Sequence, residues 1–174
     1  MKLSANDKLF RGFHSFYYYG KNTNNDDIHT FFFLYACIDH LSKAYTENRS
    51  EELKQKGLTP PEKDSDKLKF FLSEILNSED EKVHFQNFNP IKRLEDEKKT
   101  LLLQELKKGK NKIPDDASKI SPAAIIDLFL EIEKLRNDVF HGDIDFTEPN
   151  AGQKIQEAVI VLESFCDCIF WSIS

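Results

Sequence analysis

A guanidinium, an amide and an imidazole close one strongly patterned segment of the chain, Arg136-Asn137-Asp138-Val139-Phe140-His141-Gly142. Arginine is scarce, present only as Arg11, Arg49, Arg93 and Arg136, so its appearance beside an Asn and shortly before a His is informative. These three groups suit a phosphodiester. Cleavage of RNA by its own 2′-hydroxyl needs a base for that hydroxyl, an acid for the departing 5′ oxygen, and positive charge for the phosphorane-like transition state. His141 is the candidate acid or base, Arg136 the candidate phosphate and transition-state clamp, and Asn137 the candidate orienter. On a helix Asn137 and His141 share a face, so the amide is placed to bond the ring and fix its tautomer. Arg136 falls about 140° around and roughly 7.5 Å along the axis from His141, which makes a loose site for one chain. One imidazole cannot be acid and base in a single concerted step. Two copies of the helix end, facing each other across a two-fold axis, would bring two of each group around one phosphate, and two-fold symmetry is the commonest oligomer form. Such a site asks for no metal and no cofactor.

The segment that must position these residues reads as a helix with both ends marked. Ser121-Pro122 supplies an N-cap and a first helical residue, and Ile125, Ile126, Leu128, Phe129, Ile132, Leu135, Val139 and Phe140 form a wide apolar face. Gly142 can take the left-handed conformation that ends a helix after His141. A last helix starts near Pro149 and runs through Ile155, Ala158, Leu162, Phe165 and Ile169, antiparallel to its predecessor across a short loop. Upstream, Leu9, Phe10, Phe13, Phe16 and Tyr17 recur at intervals of three and four and predict a first helix ending near Gly20. A polar turn and cap cluster follows, and the run from Ile28 to about Asn48 is apolar around most of its circumference, marking the most buried helix. Residues 48–66, with Gly57 and Pro60-Pro61, read as a surface loop with one helical turn near Glu51 to Lys56. A third helix is expected from about Ser65 to Leu76, an irregular stretch over 77–90, and a fourth helix carried by Ile91, Leu94, Leu101, Leu102, Leu103 and Leu106. No strand alternation and no repeat is present. The expectation is a single all-α domain over residues 1–174, an antiparallel helical bundle of five to six helices.

Composition agrees with one domain: 40% apolar residues including 15 Phe suffice for a core. A net charge of −6 and a pI near 5.4 provide no global attraction to nucleic acid or anionic membranes, so a polyanion must be bound locally. The run from Met1 to Asp7 lacks the apolar core of a signal peptide. The apolar stretch from Phe31 to Ile38 stops at Asp39-His40, short of spanning length, and three Cys do not make a disulfide framework. A cytoplasmic protein without membrane association is expected, with the sequon Asn48-Arg49-Ser50 silent.

The string Leu135-Arg136-Asn137-Asp138-Val139-Phe140-His141-Gly142, flanked by helices, resembles the signature of HEPN domains, the "higher eukaryotes and prokaryotes nucleotide-binding" superfamily of α-helical bundles. Members carry an Arg, four to six intervening residues and a His, often with Asn after the Arg and Gly after the His. The resemblance covers about Ser121 to Ile173 and is only architectural before that. It implies a homodimeric, metal-independent endoribonuclease of defence, toxin–antitoxin or RNA-processing systems, with Arg136 and His141 of both protomers at the two functional positions and Asn137 as the accessory polar group. RNA would be substrate or ligand, and an antitoxin or regulatory protein a partner. Many members bind without cutting, which keeps a non-catalytic module for RNA, nucleotide or protein as the alternative. Asp39, in Ala36-Cys37-Ile38-Asp39-His40-Leu41, is similar to an acidic residue that many members carry amid apolar ones. The Tyr found two residues past the His in the branch paired with nucleotidyltransferase antitoxins is replaced here by Asp143.

Other features carry less. Seven carboxylates between Asp127 and Glu148 against Lys134 and Arg136 make an unfriendly field for RNA. The basic stretch from Lys92 to Lys112 offers a phosphate track, with a solvated face of paired charges as the blander reading. Cys37, His40, Cys166 and Cys168 have poor zinc spacing and read as buried, inert thiols with a neighbouring ring. His14, His29 and His84 suggest no nucleophilic triad. The aromatic run Phe13 to Tyr19 reads as core and interface packing rather than a base-stacking surface.

Overall fold

The computed structural model describes residues 16–17, 20, 26–77, 88–97, 99, 101–108, 121–144 and 149–173. Six helices are present among them and no strand, an all-α bundle: α1 Asp27–Gln55, α2 Asp64–Asn77, α3 Pro90–Asp96, α4 Leu101–Lys108, α5 Pro122–His141 and α6 Pro149–Ile173. The helix expected before Gly20 lies largely outside the described residues, though Phe16, Tyr17 and Gly20 are helical. No helix of the described residues is long and apolar enough to cross a membrane.

α1 starts at a cap. The Asp26 carboxylate accepts from the backbone N–H groups of Ile28 and His29 and from the His29 ring at 2.7 Å, satisfying donors that the first turn leaves without partners. The histidine thus belongs to a helix cap. α1 runs on to Gln55, seven residues beyond the expected Asn48, so the loop expected over 48–66 shrinks to 56–63. Ion pairs at helical spacing explain the extension: Arg49–Glu52, Glu51–Lys54 and Glu52–Lys56 hold the polar turns in place. Arg49 also reaches across to Glu74 of α2 at 3.1 Å. The helix stops at Gly57, whose φ of 73° is the left-handed conformation that glycine adopts without a Cβ penalty.

The expected fourth helix is in fact two, α3 and α4, broken after Asp96. Asn89 caps α3 by accepting from the Lys92 N–H, with Pro90 at its first turn. α4 is capped from another helix: the fully buried carboxylate of Glu157, on α6, accepts from the N–H groups of Leu101 and Leu102. A leucine count along one period sees continuity here, because the break is made by a tertiary contact.

The core gathers around α1 and α6, which make the largest helix interface. Phe31, Leu34, Ile38 and Leu41 of α1 and Leu162 and Phe165 of α6 are buried against Phe71 and Leu72 of α2 and Leu128, Phe129 and Ile132 of α5. Phe165 is the hub. Its ring meets Phe129 at 4.9 Å, Phe88 at 5.4 Å and Phe71 at 6.4 Å, all edge-on, the arrangement aromatic quadrupoles favour. The consecutive helices α5 and α6 meet through such long side chains, while their closest backbone neighbours are others: α2 and α4 for α5, and α1, α3 and α4 for α6. α5 is therefore clasped on two sides, with its C-terminal turn emerging at the surface.

Candidate functional site at the end of α5

Ser121 caps α5 by accepting from the Ala124 N–H, and the helix ends after His141 with Gly142 at φ 76°. The N–H of Gly142 returns to Val139 and that of Asp143 to Asp138, at 3.2 and 2.8 Å, a left-handed closure that pins the last turn. His141 is exposed there, and Arg136 and Asn137 are half-buried one turn back. The sequence-predicted residues thus share one helix end.

Their partners differ from the expected ones. The Asn137 amide oxygen accepts from Arg136 Nη1 at 2.8 Å, so Asn137 orients the guanidinium and makes no bond to the His141 ring. Arg136 lies with its Cζ 5.4 Å from the centroid of Tyr35 and 5.5 Å from that of Phe140. A guanidinium over aromatic rings gains cation–π attraction and keeps its outward N–H groups available. No carboxylate among the described residues pairs with Arg136, so a helix-surface salt bridge to Glu131 or Glu133 does not occupy it.

Two aromatic residues at this site were missed in the sequence. Tyr35, near the middle of α1, is 6% exposed; it is one Tyr in an apolar run and nothing local flags it. Phe140, assigned to the apolar face of α5, is instead 68% exposed. The stripe through Leu128, Ile132 and Leu135 is buried, but Phe140 is one position past the partly buried Val139, about 100° further around the helix. Its spacing of four from Arg136 was the available signal. The ring meets His141 at 5.6 Å between centroids with the planes 89° apart.

The charges sort by face. Asp138 is about 200° around α5 from Arg136 and lines a groove with Glu131, Lys134 and Leu135, Lys154 of α6, and Leu102 and Glu105 of α4, where Lys154 approaches Glu105 at 3.5 Å. Two of the carboxylates that crowd this sequence segment, Glu131 and Asp138, therefore lie away from the guanidinium. On the Tyr35 side, Asp39 pairs with Lys43 at 2.9 Å, and Lys43 also holds Asp64 of α2 at 3.1 Å. The Glu133 carboxyl is held above its ordinary range by burial and then by the Asp64 and Asp39 charges, against the opposing pull of Arg136 and Lys69. Burial and the Glu133 carboxylate likewise push the Tyr35 hydroxyl upward, keeping it neutral.

The other candidates separate from this site. Within the basic stretch, Arg93 pairs with Glu97 and donates to the Ser164 hydroxyl, and Lys99 donates to Gln156; Lys98, Lys110 and Lys112 lie outside the described residues. Cys37 and Cys166 are buried, and their thiols donate to the carbonyls of Phe33 and Leu34. Burial pushes the Cys168 thiol up to about 11, away from reactive thiolate. Among the described residues no group of His, Cys, Asp and Glu is arranged to hold a metal ion. His14 and His84 lie outside the described residues, as does most of the Phe13 to Tyr19 run. Compared with known proteins, the chain matches no family model, no curated protein and no solved structure.

Proposed function

We propose that this chain is a HEPN-type, metal-independent endoribonuclease whose site forms between two copies at the ends of their α5 helices. The observation that carries the reading is the state of Arg136: a guanidinium seated on Tyr35 and Phe140, steadied by Asn137 and paired with no carboxylate among the described residues, at the same helix end as an exposed His141. A cation so placed is preorganised for phosphate oxygens and for the charge that builds on them in the transition state. In the proposed reaction the imidazole of one protomer takes the 2′-hydroxyl proton as that oxygen attacks phosphorus. The imidazolium of the other gives a proton to the leaving 5′ oxygen, so the products are a 2′,3′-cyclic phosphate and a 5′-hydroxyl. Each Arg136 neutralises a non-bridging oxygen.

The Asn137 contact also favours a second reading. With its amide oxygen turned to Arg136, Asn137 leaves the His141 ring without an orienting hydrogen-bond partner among the described residues, as suits a module that binds RNA without cutting it. Cleavage of mixed RNA in EDTA by the wild-type protein and by His141→Ala separates the two. The nuclease reading expects cleavage that survives chelation, vanishes in the variant and leaves cyclic phosphate ends. Binding by a folded dimer with no cleavage selects the module, and undiminished cleavage by His141→Ala removes His141 from the chemistry.

A further inference from the structure

Phe140 is the most exposed of the large apolar side chains among the described residues, at 68%, and the only aromatic one so exposed, beside the aliphatic Leu58 and Ile28. An aromatic ring of this size normally contributes its area to a core; here it stands at a helix end. Among the described residues its surroundings are polar. The Arg136 guanidinium lies over it at 5.5 Å, the His141 ring meets it edge-on at 5.6 Å, and Gly142 and Asp143 next along the chain are exposed. A surface built for an apolar protein partner would extend the ring into a contiguous apolar patch. An exposed ring with a guanidinium over one face and an imidazole beside it instead matches a nucleotide, whose base stacks on the remaining face while its phosphate takes the cation.

We infer that Phe140 is the stacking platform for an unpaired base flanking the phosphate held by Arg136 and His141. This rests on the RNA reading of the site and adds to it a substrate class. In a duplex each base is already stacked on its neighbours, so the ring selects single-stranded or extruded nucleotides. It does so with little regard to sequence, because every base presents a π face.

The test uses the full chain and an RNA octamer with 2′-O-methyl sugars except at one central ribonucleotide, which confines cleavage to one phosphate. In two companion octamers the base on one side or the other of that phosphate is replaced by an abasic residue. Cleavage and fluorescence-anisotropy binding are measured for wild type, Phe140→Ala, Phe140→Leu and Phe140→Trp. On the intact octamer the Ala and Leu variants are expected to lose roughly 5- to 150-fold and the Trp variant to retain function. One abasic companion should cost the wild type a similar factor and cost Phe140→Ala nothing further. That coupling belongs to stacking, since a loss transmitted through Arg136 or through contact with a second copy would be equal on intact and abasic octamers, and that equality overturns the inference. So does an unimpaired Phe140→Ala. In both of those outcomes the wild type still acts on RNA and the RNA reading stands. A wild-type protein that neither cuts nor binds any octamer overturns the RNA reading and this inference with it.

Discussion

Tyr35 of α1 seats Arg136 of α5, ring centroid to guanidinium carbon at 5.4 Å. The contact ties the exposed end of α5 to the buried face of α1, where Tyr35 has little freedom. Tyr35→Phe keeps the ring and should preserve RNA cleavage. Tyr35→Leu removes the π face and should cost about 0.5–1 kcal/mol, a few-fold in kcat/KM. Arg136→Lys keeps the charge but loses the planar fork and the stack, so a loss of tenfold or more is expected. Equal activity of the lysine variant would show that only charge matters there.

The His141 side chain is exposed and enters no hydrogen bond among the described residues. His141→Ala should therefore unfold within about 0.5 kcal/mol of wild type in urea while losing RNA cleavage. A large fall in stability would identify the ring as a helix-terminal support and weaken its assignment to the chemistry.

Glu133 gives a pH dependence whose sign follows from its surroundings. Burial first, then the Asp64 and Asp39 carboxylates, raise its affinity for a proton above that in the unfolded chain, against the pull of Arg136 and Lys69. The folded state therefore binds more proton than the unfolded one between the two values. The corresponding stability is present below the unfolded value, near 4.3, and is lost as pH rises through the raised one. Glu133→Gln should raise Tm at pH 7, and its advantage should shrink as the pH approaches about 4. A variant no more stable than wild type at pH 7 would mean that the Arg136 attraction offsets the burial.

The elements that were legible in the sequence are those written in local chemistry. Ser121-Pro122 and Gly142 mark α5 to the residue, and the apolar stripes of α1, α2 and α6 identify their cores. Legibility failed where distant residues decide. The last two turns of α1 persist through side-chain pairs and the Arg49–Glu74 link, and the break between α3 and α4 is set by Glu157 of α6. The same holds at the candidate site: Arg136, Asn137 and His141 were found by type and spacing. Tyr35 and the outward turn of Phe140 were not, because both depend on how α1 and α5 lie against each other.

Gly142 closes the motif with φ 76°, and a Cβ placed there meets nothing within 4 Å. The cost of Gly142→Ala is then backbone strain alone, about 1–2 kcal/mol, and Gly142→Asn should cost less, since Asn tolerates the left-handed region. Fraying of the last turn displaces His141 before it disturbs the core. RNA cleavage by the alanine variant should therefore fall more steeply with temperature than its global unfolding, followed by far-UV circular dichroism, would account for.

Glu157 is the group whose removal should be felt furthest from where it sits. Its carboxylate is fully buried on α6 and accepts from the N–H groups of Leu101 at 3.1 Å and Leu102 at 2.7 Å and from the Gln153 amide at 2.9 Å. The first N–H groups of α4 have no partner within their own helix, so the carboxylate is both cap and docking point for an element of eight residues. Glu157→Ala leaves buried donors unsatisfied and should cost about 1–3 kcal/mol, read as a lower urea midpoint at unchanged slope. Glu157→Gln keeps an acceptor but turns an amide N–H toward one of the donors, so it should recover only part of the loss. Hydrogen exchange locates the effect: the α4 amides should exchange faster in the variant relative to those of α1. Uniform acceleration would mean that α4 unfolds only with the whole bundle. A stability equal to wild type would mean that water replaces the carboxylate at no cost.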